Sequence, residues 1–363
     1  MPLSKNTEFM RQLPKLWGTR RGVRSPLVET TGFGANPGNL RMFSFLPESL
    51  QSSPALVVVL HGCGQSAAGY DLGAGWSTLA KHCGFALLMP EQQLSNNANG
   101  CFNWFNPQDS KRGRGEASSI KQMIGRMMRD HKINKARIFV TGLSAGGAMT
   151  SVMLASYPET FAAGAIIAGL PYGVATNARE AMNGMFQSPT RPASELGDLV
   201  RNASKHRGSW PKVSVWHGGA DGTVDPANAD EIVKQWLDLH HLPSAPMSEG
   251  TVDGYPRQVW WNADGETIVE SYTITNMTHG TPLGTAENDE RYGRRGAFLI
   301  EAGISSSYHI AKFFGLTKGI RESEKVTEST IRPRPPKSRR KRRRGADVGT
   351  AISRALNVVG LKK

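Results

Sequence analysis

Residues 140–147 read Val-Thr-Gly-Leu-Ser-Ala-Gly-Gly and contain the pentapeptide Gly-Leu-Ser-Ala-Gly at positions 142–146. A short apolar run, Ile138–Val140, precedes this stretch, and a helical pattern that ends at Tyr157-Pro158 follows it. Strand, tight turn and helix are the context in which a Gly-x-Ser-x-Gly motif lifts its serine hydroxyl clear of a sheet. Glycine is expected at both flanking positions because a side chain there would collide with neighbouring backbone. The stretch therefore predicts Ser144 as a nucleophile; the alternative is an incidental serine in a glycine-rich turn.

The size and composition of the chain bound the possible folds. It has 363 residues, of which 39% are apolar, enough for one large α/β domain or two smaller ones. No stretch approaches the ~20 consecutive apolar residues that a membrane-spanning helix needs. Residues 1–25 mix basic and scattered apolar residues and lack the uninterrupted apolar core of a secretory signal. This favours the cytoplasm for the chain as written.

Positive charge is concentrated near the C-terminus. The net charge is +14, but residues 331–344 hold nine Lys or Arg and no acid, so the rest of the chain carries only +5. Such a run attracts polyanions, and it would do so nonspecifically because it contains no aromatic residue for base stacking. The alternative is a solvated tail without a partner. The residues that would make the polyanion contact are Lys337, Arg339, Arg340, Lys341, Arg342, Arg343 and Arg344.

Composition also divides the chain into four parts. We predict a partly ordered lead-in over 1–37 and a catalytic domain over 38–316. A polar and then basic segment over 317–346 cannot bury enough apolar surface to fold and is predicted to be a disordered linker. A modest apolar stripe predicts a short amphipathic helix over 347–363.

Strand and helix patterns alternate through the predicted catalytic domain. The predicted strands are an edge strand at 40–46, then 55–60, 85–89 ended by Pro90, 138–140, 163–168, 213–216 and a hairpin over 258–274. The predicted helices are 75–82, 118–130, the one after Ser144, 227–239 and 308–314. Such alternation implies a mainly parallel central sheet with helices on both faces. Together with the serine motif it predicts the α/β-hydrolase fold.

A serine hydroxyl is a weak nucleophile that needs a base, and the base needs a carboxylate to orient it. In this fold the acid follows the serine along the chain and the histidine comes last. Asp221 follows the strand 213–216 and is the predicted acid. Asp225 is the competitor, although beside Pro226 it could instead cap the following helix.

The predicted base is His279, which lies on a loop after the hairpin and is followed by Gly-Thr-Pro. His309 competes, but it lies inside a predicted helix. His61 and His217 lie at strand ends, where a structural role is commoner. We expect the Ser144 hydroxyl and a ring nitrogen of His279 to lie within hydrogen-bond reach.

The oxyanion of a tetrahedral intermediate needs backbone N–H donors. The residue after the nucleophile, Ala145, is predicted to supply one, and Cys63 the other, with Gly64 as the alternative. Cys63 and Cys101 could pair in an oxidising compartment, but free buried thiols fit the sequence as well.

Several of these blocks, in this order, resemble esterases of the poly(3-hydroxybutyrate) depolymerase family. The matching stretches are LVVVLHGCGQSAAGYD (56–71), GFALLMPEQQLSNNANGCFNWF (84–105), TGLSAGGAMTSVMLASYPETFAAGAIIAGLPYG (141–173), WHGGADGTVDPANADEIVKQW (216–236), THGTPLG (278–284) and GISSSYHIAKFFGL (303–316). The resemblance implies that Ser144, Asp221 and His279 form a catalytic triad and that Cys63 and Ala145 bind the oxyanion.

The resemblance also implies an activity. The family hydrolyses esters of hydroxyalkanoate polymers or oligomers, or of acylated plant polysaccharides, without a metal or other cofactor, and its members are commonly extracellular. This sequence departs from the family in lacking a visible signal peptide and a polymer-binding module, so oligomers or small esters are the safer expectation. Trp104 and Tyr172 could line the acyl pocket, or they could pack in the core. The alternative functions are a feruloyl or acetyl esterase, a peptidase on the same fold, and a polyanion-binding protein with a silent hydrolase body.

Overall fold

The computed structural model describes residues 24–50, 52–288 and 290–317. The predicted lead-in up to residue 23, the predicted linker from residue 318, the terminal helix and the basic run from Lys337 to Arg344 lie outside the described residues.

A ten-stranded sheet forms the centre of the molecule. Its strands run in the order β1-β2-β4-β3-β5-β6-β7-β10-β9-β8, and the six from β4 to β10 are parallel. The strands are β1 (Val28–Thr30), β2 (Arg41–Phe45), β3 (Leu56–Leu60), β4 (Ala86–Glu91), β5 (Ile138–Leu143), β6 (Ala163–Ile167), β7 (Lys212–Gly218), β8 (Ser248–Val252), β9 (Tyr255–Trp261) and β10 (Thr267–Ile274). A separate parallel pair consists of β11 (Thr281–Leu283) and β12 (Leu299–Glu301).

Helices cover both faces of the sheet, as the sequence predicted. The helices are α1 (Ala67–Ala74), α2 (Trp76–Cys83), α3 (Pro107–Ser110), α4 (Gly115–His131), α5 (Ala145–Ser156), α6 (Ala178–Gln187), α7 (Ala193–Arg201), α8 (Ala227–His240) and α9 (Ser306–Phe313). One hydrophobic core contains buried side chains of α4, α5, α7 and α8, and the other contains those of α1, α2 and α9. The mainly parallel sheet between two helical layers confirms the predicted fold class.

The apolar stripe of α4 shows why periodicity predicted this part of the fold well. Ile120, Met123, Ile124 and Met127 recur at helical spacing, and all four are buried against the sheet. Buried aliphatic side chains of this size each contribute roughly 1.5–3 kcal/mol relative to exposure. The stripe therefore fixes the orientation of the helix on the sheet.

Two details of the predicted strands are wrong. The strand at 40–46 is not the edge, because β1 pairs antiparallel with β2 on its outer side. Pro90 does not end β4, which continues through it to Glu91 while pairing with β2. The parallel pairing of β4 with β3 stops at Leu88, so Pro90 lies beyond the last pair on that side and a missing N–H is tolerated there.

Candidate active site

Ser144 lies in the tight turn between β5 and α5, as predicted. Its backbone has φ 58° and ψ −118°, outside the regions that residues with a side chain normally occupy. Such a conformation costs on the order of 1–3 kcal/mol and persists only where its surroundings hold it. The N–H of Ser144 donates to the carbonyl of Ile167 at 2.9 Å, and its carbonyl accepts the N–H of Ala148 at 2.8 Å.

The glycines on either side of Ser144 are required by close backbone packing. A Cβ atom at Gly142 would lie 2.4 Å from the carbonyl oxygen of Gly146. A Cβ atom at Gly146 would lie 2.3 Å from the carbonyl oxygen of Leu60 and 2.5 Å from that of His61. The start of α5 therefore lies directly against the end of β3, which is where the candidate oxyanion loop begins.

Asp221 follows β7 and is held by four polar contacts. Its Oδ1 atom accepts the backbone N–H groups of Thr223 and Val224 at 2.8 and 2.9 Å. Its Oδ2 atom lies 2.7 Å from Nδ1 of His279 and 3.3 Å from Nε2 of His217. Burial raises the pKa of this carboxyl, but the hydrogen bonds from His217 and His279 outweigh that effect and hold the pKa below its usual value. Asp221 is therefore a carboxylate at neutral pH.

His279 lies on the loop after β10, and that loop packs against the end of β7. The N–H of Ala220 donates to the carbonyl of Met277 at 3.0 Å. A Cβ atom at Gly218 would lie 2.3 Å from the same carbonyl oxygen. The carboxylate accepts the Nδ1 hydrogen of His279, which leaves Nε2 as the nitrogen that can take a proton.

In the described part of the chain, no hydrogen bond joins the Ser144 hydroxyl to His279. The contact that the sequence predicts is therefore not formed in the structure, although rotation about the Cα–Cβ bond of Ser144 changes the direction of its hydroxyl. The two residues nevertheless belong to the same edge of the sheet, because β5 and β10 are parallel members of it and both end there.

The two competing residues serve other purposes in the structure. Oδ1 of Asp225 accepts the N–H of Ala227 at 2.9 Å, the capping contact considered from the sequence. His309 is buried in α9, and its Nε2 atom lies 3.0 Å from Asp253. Neither contacts Asp221 or His279.

The candidate oxyanion loop after β3 is fixed at several points. Nδ1 of His61 donates to the carbonyl of Gly62 at 2.8 Å, and its Nε2 accepts the N–H of Gln92 at 3.0 Å. Burial lowers the pKa of His61 to about 4, so the ring is neutral and bridges the ends of β3 and β4. Gln65 closes the turn by accepting the N–H of Gly62 at 2.8 Å. Cys63 forms a disulfide with Cys101, which settles the pairing left open by the sequence.

A buried carboxyl that the sequence analysis missed holds the segment after β4. Glu116, at the start of α4, is 1% exposed. It accepts the side-chain amide of Gln92 at 2.5 Å, and the backbone and side-chain N–H groups of Asn103 at 2.8 Å each. Burial raises the pKa of Glu116 to about 8, against these hydrogen bonds. Nothing in the local sequence distinguishes Glu116 from a solvated residue of a helix's first turn.

The two candidate pocket residues are placed differently. Trp104 is buried beside Phe105, with ring centroids 5.5 Å apart, three residues after the disulfide at Cys101. Tyr172 is half-buried and packs against the core. Its backbone N–H donates to Oε1 of Gln235 on α8 at 2.9 Å, and its carbonyl accepts Nε2 of the same side chain at 3.1 Å.

The described residues contain no group of three or more His, Cys, Asp or Glu side chains arranged to hold a metal ion. None of the helices they form is both long and apolar enough to cross a membrane.

Comparison with known proteins gives consistent matches. Residues 43–249 match the family model described as esterase PHB depolymerase. The chain is 45% identical over 291 residues to poly(3-hydroxyalkanoate) depolymerase C of Paucimonas lemoignei, covering 80% of this chain and 70% of that protein. It is 32% identical over 268 residues to an acetylxylan esterase of Coprinopsis cinerea, covering 72% and 71% of the two chains.

A further relative and a solved structure extend these matches. Feruloyl esterase B of Thermothelomyces thermophilus is 35% identical over 224 residues, covering 60% of this chain and 76% of that one. The solved acetyl xylan esterase from Aspergillus awamori superposes with a TM-score of 0.67 at 24% identity, covering 80% of this chain and all of that one. This likeness supports the fold alone.

Proposed function

The chain belongs to the esterase PHB depolymerase family and is a carboxylic ester hydrolase, and from this premise we propose that it acts through an acyl-serine at Ser144. Asp221 orients His279, and His279 activates Ser144. The observation that carries the proposal is the 2.7 Å hydrogen bond between Asp221 Oδ2 and His279 Nδ1, at the sheet edge where the strained Ser144 also lies. Base and orienting carboxylate are thus already paired.

The reaction then follows in two halves. The Ser144 oxygen attacks the ester carbonyl carbon while Nε2 of His279 takes the hydroxyl proton. The resulting tetrahedral intermediate collapses, the bond to the alcohol oxygen breaks, and His279 returns the proton to the departing alcohol. A water molecule next gives a proton to His279 and attacks the acyl-serine. Collapse of that second intermediate returns the proton to Ser144 and releases the carboxylic acid.

Asp221 contributes by remaining ionised throughout. Its carboxylate fixes the Nδ1 hydrogen of His279, so Nε2 faces the reaction as the basic nitrogen. It also stabilises the imidazolium that forms when His279 takes the proton. The low pKa of Asp221 means that the proton stays on His279 rather than moving to the carboxylate.

The backbone N–H groups of Cys63 and Ala145 are proposed to bind the oxyanion. Ala145 is the first residue of α5, where unpaired N–H groups and the helix dipole favour negative charge. Cys63 lies on the loop whose first residues contact Gly146, so both donors belong to one packed unit. One such donor is typically worth about 3 kcal/mol of transition-state stabilisation.

We propose a hydroxyalkanoate ester, as polymer or oligomer, as the substrate. The support is the 45% identity to a relative named as a poly(3-hydroxyalkanoate) depolymerase, against 32% and 35% to the acetylxylan and feruloyl esterases. Purified protein should therefore hydrolyse hydroxybutyrate oligomers with a higher kcat/KM than acetylated xylan or feruloyl esters. A preference for either plant-derived ester would refute the substrate assignment and leave the acyl-serine chemistry intact.

Labelling with a fluorophosphonate probe tests the nucleophile. Wild-type protein should react at Ser144, and Ser144→Ala should lose both labelling and hydrolysis of p-nitrophenyl butyrate. Ser151→Ala is a matched control, because Ser151 lies on the same helix and its hydroxyl donates to the carbonyl of Leu170 at 2.7 Å. That variant should still be labelled. Hydrolysis at the wild-type rate by Ser144→Ala would exclude the mechanism.

The basic run from Lys337 to Arg344 supports a second, separate proposal of nonspecific polyanion binding. Binding of this kind releases counterions from the polyanion, and it weakens steeply as the salt concentration rises because the entropy gained by that release becomes smaller. Retention on immobilised DNA should fall between 50 and about 200 mM salt and disappear when the chain is truncated after residue 330. Esterase activity on a small soluble substrate should be unchanged by that truncation. Equal retention of the truncated protein would exclude the run as the binding element.

A further inference from the structure

His217 is a second imidazole on the carboxylate of Asp221. It is the sixth residue of β7 and is 3% exposed. Its Nε2 atom lies 3.0 Å from the carbonyl oxygen of Val224 and 3.3 Å from Oδ2 of Asp221. Both partners accept hydrogen bonds and neither can donate one, so the network assigns the hydrogen to Nε2 of His217.

The other ring nitrogen of His217 supports the same tautomer. Nδ1 is buried and has no hydrogen-bond partner among the described residues. A hydrogen on Nδ1 would be a buried donor without an acceptor, which is unfavourable. An apolar side chain of similar size would avoid burying this unpaired atom. Packing alone therefore does not explain a histidine here, whereas the Nε2 hydrogen bond does.

Resting on the function proposed above, we propose that His217 is a positioning residue that shares Oδ2 of Asp221 with His279. The Oδ1 atom of Asp221 is already occupied by the N–H groups of Thr223 and Val224. Oδ2 is thus the atom through which the carboxylate acts on the base, and the Nε2–H group of His217, which donates to the Val224 carbonyl, lies 3.3 Å from it. The positive end of that N–H dipole draws charge from Oδ2 and weakens its attraction for the proton that His279 takes from Ser144.

Two consequences follow for the reaction. The imidazolium of His279 is stabilised enough to form, yet gives up its proton more readily to the departing alcohol. His217 also closes the turn from Asp221 to Val224, because the same Nε2 hydrogen reaches the Val224 carbonyl. The titratable groups that face His217 are Asp221 at 3.3 Å and, across the same carboxylate, His279. Asp230 of α8 is a further acidic group in this region, and burial, followed by the charge of Glu231, raises its pKa.

The test measures kcat/KM against pH in His217→Met and His217→Gln. Methionine fills the space without a donor, whereas the glutamine amide offers an N–H close to the position of Nε2. The acid limb of the profile reports protonation of the general base. In His217→Met it should move to higher pH by about one unit or less, with kcat about ten-fold lower and KM little changed. In His217→Gln the limb should return towards that of the wild type.

His309→Met is the matched control. His309 is also a buried histidine hydrogen-bonded to an aspartate, at 3.0 Å from Asp253, but it has no contact with Asp221 or His279. The pH profile of His309→Met should keep the acid limb of the wild type.

If His217→Met does not fold, His217→Asn is measured in its place, because an asparagine side chain is too short to offer a donor at the position of Nε2. The acid limb of His217→Asn should show the same shift to higher pH.

An unchanged acid limb in active His217→Met or His217→Asn would overturn the inference, as would an equal shift in His217→Gln. A purely structural histidine would lower stability in these variants and leave the limb in place. The outcome is separable from that of the proposed function. If Ser144→Ala keeps activity, the acyl-serine mechanism fails; if Ser144→Ala is inactive and the limb does not move, only the role of His217 fails.

Discussion

The disulfide between Cys63 and Cys101 should contribute about 4 kcal/mol to the free energy of unfolding. The two cysteines are separated by 38 positions in the sequence. In the chain-entropy model, cross-linking a loop of this length removes about 13 cal/mol/K from the unfolded ensemble, or about 4 kcal/mol at room temperature. For a folded unit of roughly 290 residues, a loss of that size lowers Tm by about 6–7 °C. The perturbation is the double variant Cys63→Ala, Cys101→Ala.

Activity should respond less than stability. Cys63 is proposed to serve through its backbone N–H, and removing such a donor outright costs about 3 kcal/mol, or more than 100-fold in rate. The loop keeps its other restraints, which are the His61 bridge to Gln92 and the contacts of Gly62 with Gln65. We therefore expect a less than ten-fold loss of kcat at 25 °C, well below the cost of a lost donor.

The assay is thermal unfolding with and without reductant, alongside hydrolysis of p-nitrophenyl butyrate at 25 °C. Wild-type protein should lose stability on reduction, and the double variant should not respond to reductant. Cys83→Ala is the control, because Cys83 is the free cysteine of the described chain and should leave the response of the wild type unchanged. A double variant that melts within 1 °C of the wild type would refute the entropy argument. A loss of kcat above 100-fold would refute the argument that the loop after β3 keeps the Cys63 N–H in place without the disulfide.

Three further predictions concern single side chains. Gly146→Ala should abolish folding or activity, because the new Cβ atom would lie 2.3 and 2.5 Å from two backbone carbonyl oxygens. Gly250→Ala is the control, since a Cβ atom there would meet no heavy atom within 4 Å. Expression and activity assays should show the control variant unchanged. Asp221→Asn should lower kcat by roughly 10³–10⁴-fold, because the amide no longer holds the hydrogen of His279 on Nδ1. The kcat of Asp225→Asn should stay near that of the wild type. Burial raises the pKa of Glu116 from 4.5 to about 8, so the folded chain keeps a proton that the unfolded chain releases between these values. The free energy of unfolding should fall as pH rises through that window, by at most about 1.4 kcal/mol per pH unit, and Glu116→Gln should flatten the slope in denaturant titrations.

The sequence predicted the parts of the fold that depend on local pattern. The tight turn at Ser144 combines a serine motif with an apolar strand before it and a helix after it, so motif, strand pattern and helix pattern all predict the same local structure. Asp221 and His279 were selected by chain order and by their positions after strands, and the structure joins them by a hydrogen bond. Periodicity likewise identified α4, whose apolar stripe is buried.

The missing parts depend on contacts between distant segments. α1 was not predicted because its eight residues include two glycines and lack an amphipathic stripe; its N-terminus is stabilised by the Ser66 cap, and Tyr70 is buried against the core. β1 has only three residues, two of them exposed, and exists through its pairing with β2. Glu116 acquires its role from Gln92 and Asn103, which no pattern in the sequence of α4 indicates.

The candidate site depends on strand register, which apolar runs alone do not specify. It draws its parts from the ends of β3, β5, β7 and β10, and a slip of one residue in any of them would turn its side chains to the other face of the sheet. Close backbone contacts at glycines restrict such slips. Leu60 pairs with Gly142, and no side chain fits between that pair and Gly146. Gly218 pairs with Ile274, and its missing side chain admits the Met277 carbonyl of the His279 loop. These glycines thus align the nucleophile with the oxyanion loop and the acid with the base, so their replacement should remove activity even where the three reacting side chains are intact.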